Sequence, residues 1–537
     1  MKLKYLFRTV LLALYVLSWS DSSGQQPFAV YIQPAGIYGP STHSGAFAMW
    51  DGKWIFIGGR IDGLHIMQAM QAFPAYGKND SIYVVDPVLN TYTTLDATAL
   101  LPDIYQAVTS SNMEFYQDGR FLYMIGGYGK MSSQNTWITF PSLVSVDLEC
   151  LVHAANISAP ATNCFRQLVD TNMAVAGGML EKIDTTYYLV GGHRFDGMYS
   201  QVSMGGMFTQ QYTNEIRRFR IDDDGVNLSL SNYSALRDTD VFHRRDLNLV
   251  PQIYPNGEYG FTAFGGVFQK NADLPYLTPI DIAASGVHHQ SGFNQNLSQY
   301  TSAVVPVYDS INNYMHTLFF GGMSLYTMDT VSQTLIQDTL VPFVSTVSKI
   351  SRDGAGNLTE YKLPVNMPAL IGSNATFIID TTAALWNGRI IDLNRLNGVS
   401  RIGYIVGGIH SDFANVGLLD PVGMSRPNAQ VYEVFIDKTI SSTHELQIKN
   451  SVNNLSVYPN PFREKLSVDF SIPNFSSACS IDLFNMDGKL IRNLLPEKML
   501  AGDQHFQFQL NSIKPGTYLC RIRVGESVKG VKVVVEK

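Results

Sequence analysis

FLYMIGGYG, residues 121–129, runs five strand-forming residues into a pair of glycines. Nearly the same phrase recurs as WIFIGGR (54–60), YYLVGGH (187–193), FTAFGGV (261–267), LFFGGMS (318–324) and YIVGGIH (404–410). The doublets begin at 58, 126, 191, 265, 321 and 407, spaced 56 to 86 residues apart. A loose period in that range marks an array of supersecondary units rather than one compact sheet. Glycine lacks Cβ, so a doublet closing a strand lets the chain leave with positive φ and lets a neighbouring backbone come close.

Each unit reads as four strands. In the first, AFAMW (46–50), the turn Asp51-Gly52 and WIFIGG make a hairpin; in the second, MEFY (113–116), Gln117-Asp118-Gly119 and FLYMIGG do the same. The fourth uses Asn256-Gly257. Asp-Gly and Asn-Gly between apolar runs are strong hairpin signals because the favoured turns need positive φ. Outer pairs follow, such as SIYVVD (81–86) with TYTTL (91–95) and IRRFRI (216–221) with VNLSLS (226–231). Four strands repeated six times predict an all-β, six-bladed β-propeller, in which radial repetition protects the sheet edges. The last unit shows one clear outer strand, AQVYEVFI (429–436), and PFAVYI (27–32) is its expected partner, closing the ring.

The order IFIGGR, IYVVDPVLNTYTTL and LLP in the first unit resembles the kelch repeat, with Tyr92 where that family usually has tryptophan. The fifth and sixth units are degenerate and stretched by insertions, so a count of seven is the alternative to six. The resemblance implies a kelch-like propeller over 25–437.

The character of the chain changes from Leu455. Period-2 strands separated by Asn-Pro, Asp-Gly and Pro-Gly predict a small Ig-like β-sandwich over 455–537, joined through a linker at 438–454. Tyr458-Pro459-Asn460-Pro461-Phe462, the turn ending at Gly488, Lys514-Pro515-Gly516-Thr517-Tyr518 and the terminal Lys537 resemble the type A sorting domain of type IX secretion in Bacteroidota. That resemblance implies two partners, the outer-membrane translocon and its sortase-like peptidase. It also implies that the product is released or linked to surface lipopolysaccharide. The other end agrees: Lys2, Lys4 and Arg8, the apolar run 9–17, and Ser18 and Ser20 form a secretory signal ending near residue 24.

The net charge of −7 conceals a contrast. Residues 1–20 and 455–537 each carry +3, leaving −13 on the body between them. A body this acidic is a poor partner for nucleic acid, whose phosphates reward clustered Lys and Arg. No later apolar stretch reaches transmembrane length. Of the four cysteines, Cys150 and Cys164 are expected to close a short disulfide loop in the exported protein. Cys479 and Cys520 alternate with apolar residues, so both point into a core, as two thiols or as a bond.

In a propeller the residues just after each doublet and those just before each inner strand should meet at one mouth of the channel. That expectation gathers Arg60, Asp62, His65, Tyr128, His193, Arg194, Asp196, His410 and Asp412, joined by His43 and by His243, Arg244, Arg245 and Asp246. Arg offers a fixed fork to oxyanions and Asp accepts from hydroxyls, which suits a glycan or a protein ligand. The kelch family includes a copper-radical oxidase and a sialic acid epimerase. The oxidase needs a cysteine-crosslinked tyrosine that this cysteine pattern disfavours, so no cofactor and no metal site is expected. The preferred reading is a binding protein without catalytic residues; the alternative is a sugar-processing enzyme, an epimerase or lyase, using an Arg/Asp pair at the same mouth.

Overall fold

The structure, a computed structural model, describes residues 27–65, 72–198, 208–329, 331–332, 334–416, 424–440, 445–448, 452–525 and 527–536. The signal segment and Lys537 lie outside the described residues. Six antiparallel sheets each hold one Gly-Gly doublet, in or just after the second strand. The first is representative: Ala46–Trp50, Lys53–Ile57, Ser81–Asp86 and Thr91–Asp96 follow one another from inside to outside. Its tight turn forms as the dipeptide dictates, with φ of +48° at Asp51 and +71° at Gly52. In the sixth sheet Ala29–Tyr38, from the start of the chain, takes the outer place beside Gln430–Asp437, pairing Ala29 with Asp437 and Val30 with Ile436.

The sheets form a closed ring. Tyr123, Ile125 and Leu143 of the second sheet pack on Leu189 and Phe219 of the third. Corresponding apolar clusters join third to fourth, fourth to fifth, fifth to sixth, sixth to first and first to second. The contact between sixth and first, which closes the cycle, sets Trp54 and Phe56 against Tyr404 and Val406. Hydrogen bonds repeat the cycle: the N–H of Gly59, Gly127, Gly192, Gly266, Gly322 and Gly408 donates to the carbonyl of Ser110, Val175, Arg244, Gln299, Ile371 and Thr42 in turn. Both glycines of every doublet have positive φ. A Cβ on Gly126 would sit 1.9 Å from the Val175 carbonyl oxygen, and one on Gly58 would sit 2.1 Å from that of Val108. Each doublet is therefore the point where one sheet's backbone presses on the next, which no side chain permits.

Departures from the repeat carry their own structure. The helix Leu148–Asn156 is tied to the next strand by the Cys150–Cys164 disulfide. The polar stretch at His288-His289 is the outer strand of the fourth sheet, paired residue for residue with Ile280–Ala283. The long excursion of the sixth unit returns to the ring: Ile390–Asp392 pairs in parallel with the inner strand of the fifth sheet, and Arg389 forms a two-pronged ion pair with Glu181 of the third sheet.

The tail is a separate unit with its own core. Lys465–Asn485 pairs with Asn453–Tyr458 through its first half and with Gly516–Val524 through its second, so one bent strand serves both halves of the rolled sheet. Leu466, Val468, Ile481, Leu483, Ile522 and Val533 fill the interior. Cys479 and Cys520 are free thiols inside it, which burial pushes up to about 11 and about 12.

Candidate functional site

The positions after the doublets and those before the inner strands do meet. His43 bridges to Arg60, Ser111 to Tyr128, Ala176 to His193, and Arg245 to Val267. A second chain of hydrogen bonds runs inside these bridges. The N–H of Asn112 donates to Ser44, Gly177 to Asn112, Asp246 to Gly177, Thr301 to Asp246, and Asn374 to Thr301, over 2.6–3.2 Å. These residues, one from each sheet, ring the axis at the Gly-Gly end. Asp246 is the one charged side chain among them.

The charged candidates are mostly satisfied by near neighbours. Arg60 grips Asp62 with two guanidinium nitrogens, donates to the Pro74 carbonyl, and lies over the Phe73 ring. Arg245 pairs with Asp246, which also accepts from the Tyr300 hydroxyl at 3.3 Å. Burial opposes the Arg245 charge, but Asp246 outweighs it and holds the guanidinium above its ordinary value. Arg426 reaches Asp412 through 2.8 and 2.9 Å bonds and stands 3.3 Å from the His410 ring. Two of these pairs are open to solvent, Arg426 with Asp412 and Arg194 with Asp196, the latter at 2.6 Å.

Arg244 does not face the opening. It is 1% exposed, donates to the carbonyls of Val241, Gly265 and Thr278, and stacks on Tyr276. Next to Arg245 in sequence, it points the other way because successive residues of an extended chain take opposite sides. Its role is to tie the carbonyls of the fourth unit together. His43 and His193 are also buried, and burial lowers both, His43 to about 4. The Gln210 amide meets His193 Nδ1 at 2.7 Å. His243 is more open: its ring stacks on Tyr212 with centroids 3.9 Å apart and its Nδ1 meets Asn214 Oδ1.

The sequence reading missed the most distinctive feature of this end. Two hairpins, Tyr128–Met131 with Thr136–Thr139 and His193–Gly197 with Phe208–Tyr212, stand on the second and third sheets directly after their doublets. They are joined to each other: the Thr139 hydroxyl donates to the Phe195 carbonyl, and Phe195 N–H donates back to that hydroxyl. Between them runs an aromatic row. Phe73 meets Tyr128 edge-on at 5.1 Å, Tyr128 stacks on Trp137 at 5.5 Å and meets Phe195 edge-on, and Phe195 stacks on Phe208 at 4.8 Å. His65 stacks on Phe73 at its end. A signal was present, since Tyr128, Trp137 and Phe195 follow these two doublets within ten positions, but the full row adds Phe73 of the first unit and the more distant Phe208 and exists only when the sheets are side by side.

One more group lies under the mouth. Glu114 of the second inner strand is buried, accepts from Gly178 N–H at 2.6 Å through one oxygen, and leaves the other without a hydrogen-bond partner among the described residues. Burial raises its pKa to about 8 against the pull of that N–H, so it is a neutral acid over most of the physiological range. Among the described residues no group of three or more His, Cys, Asp or Glu side chains converges as metal ligands would. At the far end of the axis, Arg389 crosses the ring to Glu181 and lies over the Tyr116 ring.

Among proteins of curated function no sequence matches this chain. Solved structures with a similar outline include YjhT, with 10% identity and a TM-score of 0.41 over 75% of this chain and 99% of that one. They also include a copper-bound fungal alcohol oxidase of the AA5 family, with 9% identity and a TM-score of 0.36 over 96% of this chain and all of that one. At such identities neither likeness speaks to activity. The tail is different. Residues 456–536 match the secretion system C-terminal sorting domain, so the chain carries a type IX sorting tail that engages that machinery and directs export to a secreted or cell-surface location.

Proposed function

We propose that the chain is an exported, six-bladed kelch-like propeller of Bacteroidota type that binds a glycan through the Gly-Gly end of its ring. The observation that carries this reading is the trio of partly exposed aromatics Phe73, Trp137 and Phe208, seated on buried Tyr128 and Phe195 and flanked by the Arg194–Asp196 pair. Aromatic faces pack against the apolar faces of sugar rings, while a guanidinium and a carboxylate donate to and accept from hydroxyls, which together fix orientation. The joined hairpins hold the row rigid, so little ordering entropy is lost on binding. The tail serves as the address, and the product is held at the outer membrane or released.

A glycan array probed with the purified chain tests this reading. Specific signal that Trp137→Ala reduces by about tenfold or more supports it, a loss in line with removing one aromatic anchor. Signal unchanged by both Trp137→Ala and Arg194→Ala removes the mouth from consideration. The same arrayed sugars, scored for chemical conversion, test the alternative of a sugar-processing enzyme acting through Arg194 and Asp196.

A further inference from the structure

The insertion that stretches the fifth unit has a use. Its hairpin, Tyr326–Asp329 with Thr334–Gln337, runs parallel to the last strand of the tail, setting Leu335 opposite Lys529 and Gln337 opposite Val531. One sheet therefore crosses from the propeller into the sorting domain. Lys529 is 2% exposed; its ammonium donates to the Val452 carbonyl at 2.9 Å, reaches Asn296 Oδ1 at 3.5 Å and lies over the Tyr326 ring. Beyond Asn296 lies Glu360, 1% exposed, which accepts from the backbone N–H of Asn296 and Leu297 at 2.8 and 3.0 Å and from the Asn296 side-chain amide at 3.2 Å. At the rim Lys532 meets Asp338 at 2.7 Å. Leu297, Leu325, Leu335 and Val341 form the apolar bed beneath.

The groups of this niche come from the propeller, from the tail from Val452 onward, and from the linker strand Leu446–Ile448, which pairs along the outer edge of the fifth sheet, sets Ile448 opposite Glu360 and adds it to the apolar bed. Opening the contact would leave a sheet edge unpaired, strip the buried Lys529 ammonium of Asn296 and the Tyr326 ring, and part Lys532 from Asp338. We propose that this face of the propeller is a receptor for the sorting domain that works without the covalent link. A tail severed from the propeller stays bound to it, so that cutting the linker does not by itself release the propeller from whatever holds the tail.

The test uses the full chain with a site for a sequence-specific protease inserted at Asn450, so that Leu446–Ile448 stays with the propeller. After cutting, gel filtration at about 1 µM should give one peak containing both fragments, as expected for an interface of micromolar or tighter affinity. Because Lys529 also braces Val452 within the tail, Lys532→Glu serves as the second variant, placed at the rim where folding of the tail is unaffected. Lys532→Glu should weaken retention by about tenfold, and Lys529→Met with Lys532→Glu should abolish it, in line with the loss of desolvated charge pairs at an interface. Two separate peaks from the cut wild type, or undiminished retention by the double variant, would overturn the proposal.

Discussion

The two ends of interest spend their charges differently. At the Gly-Gly end, Arg60 pairs with Asp62, Arg194 with Asp196 and Arg245 with Asp246, each within two residues along the chain. Where the tail docks, Lys532 reaches back 194 residues to Asp338 and Lys529 reaches 233 residues to Asn296; on the linker that leads there, Glu445 closes on Lys349, 96 residues away. Of the local pairs, Arg194–Asp196 is open to solvent and costs little if lost, while Arg60–Asp62 and Arg245–Asp246 are buried and brace the loops on which they lie. Long-range buried pairs weld separate parts of the molecule and are expensive to break from one side. The difference separates a face built to meet a ligand from a face already committed to a partner.

The largest effect is expected where neither kind of charge is involved. Gly126→Val places a side chain against the Val175 carbonyl at positive φ and should cost more than about 4 kcal/mol, enough to abolish soluble expression. Ordinary denaturant stability in that variant would show that the ring can slide open at a doublet. Next comes the weld: Glu445→Ala strands the buried Lys349 ammonium and should cost about 3–5 kcal/mol in urea unfolding, whereas Lys349→Met with Glu445→Leu should recover most of it. Equal losses in the single and double variants would make the pair no different from the local ones.

A pH series separates buried acids from buried bases. Folded Glu114 keeps its proton to about 8 and Glu360 to about 7, while both ionise in the ordinary carboxylate range once unfolded. The unfolded state thus binds fewer protons, and stability falls as pH rises towards 8. Buried His43, lowered to about 4, acts oppositely but only below the ordinary histidine range, where its contribution is lost as pH falls. Between about pH 6.5 and 8 the wild type should lose stability, by at most about 1.4 kcal/mol per pH unit per group, and Glu114→Gln should flatten that slope. An unchanged slope in Glu114→Gln would place the titration elsewhere. The smallest effect belongs to the exposed local pair: Arg194→Ala should change unfolding by less than about 1 kcal/mol, so any loss of glycan signal it causes is a loss of contact.

Much of this architecture was legible without coordinates because it rests on chemistry that acts locally. The doublets, the Asp-Gly turns and alternating strands named the sheets, and Ala29–Tyr38 was found where the last sheet lacked an edge. The neighbourhood of the mouth was legible for the same reason, since strand direction fixes which ends coincide. What each side chain does there was less so. Arg244 and Arg245 look alike in sequence, yet one ties carbonyls inside the fourth unit and the other faces Asp246.

Residue type over a few positions sets the repeat, the strand pattern, the disulfide-capable cysteines and the address at the end of the chain. The aromatic row, the reach of Arg389 to Glu181 and the seat of Lys529 depend on the fold, because each joins residues from units far apart in the chain. Burial is a property of neighbours brought by the fold, and it is burial that turns a lysine or a glutamate from a solvated surface group into a fastening.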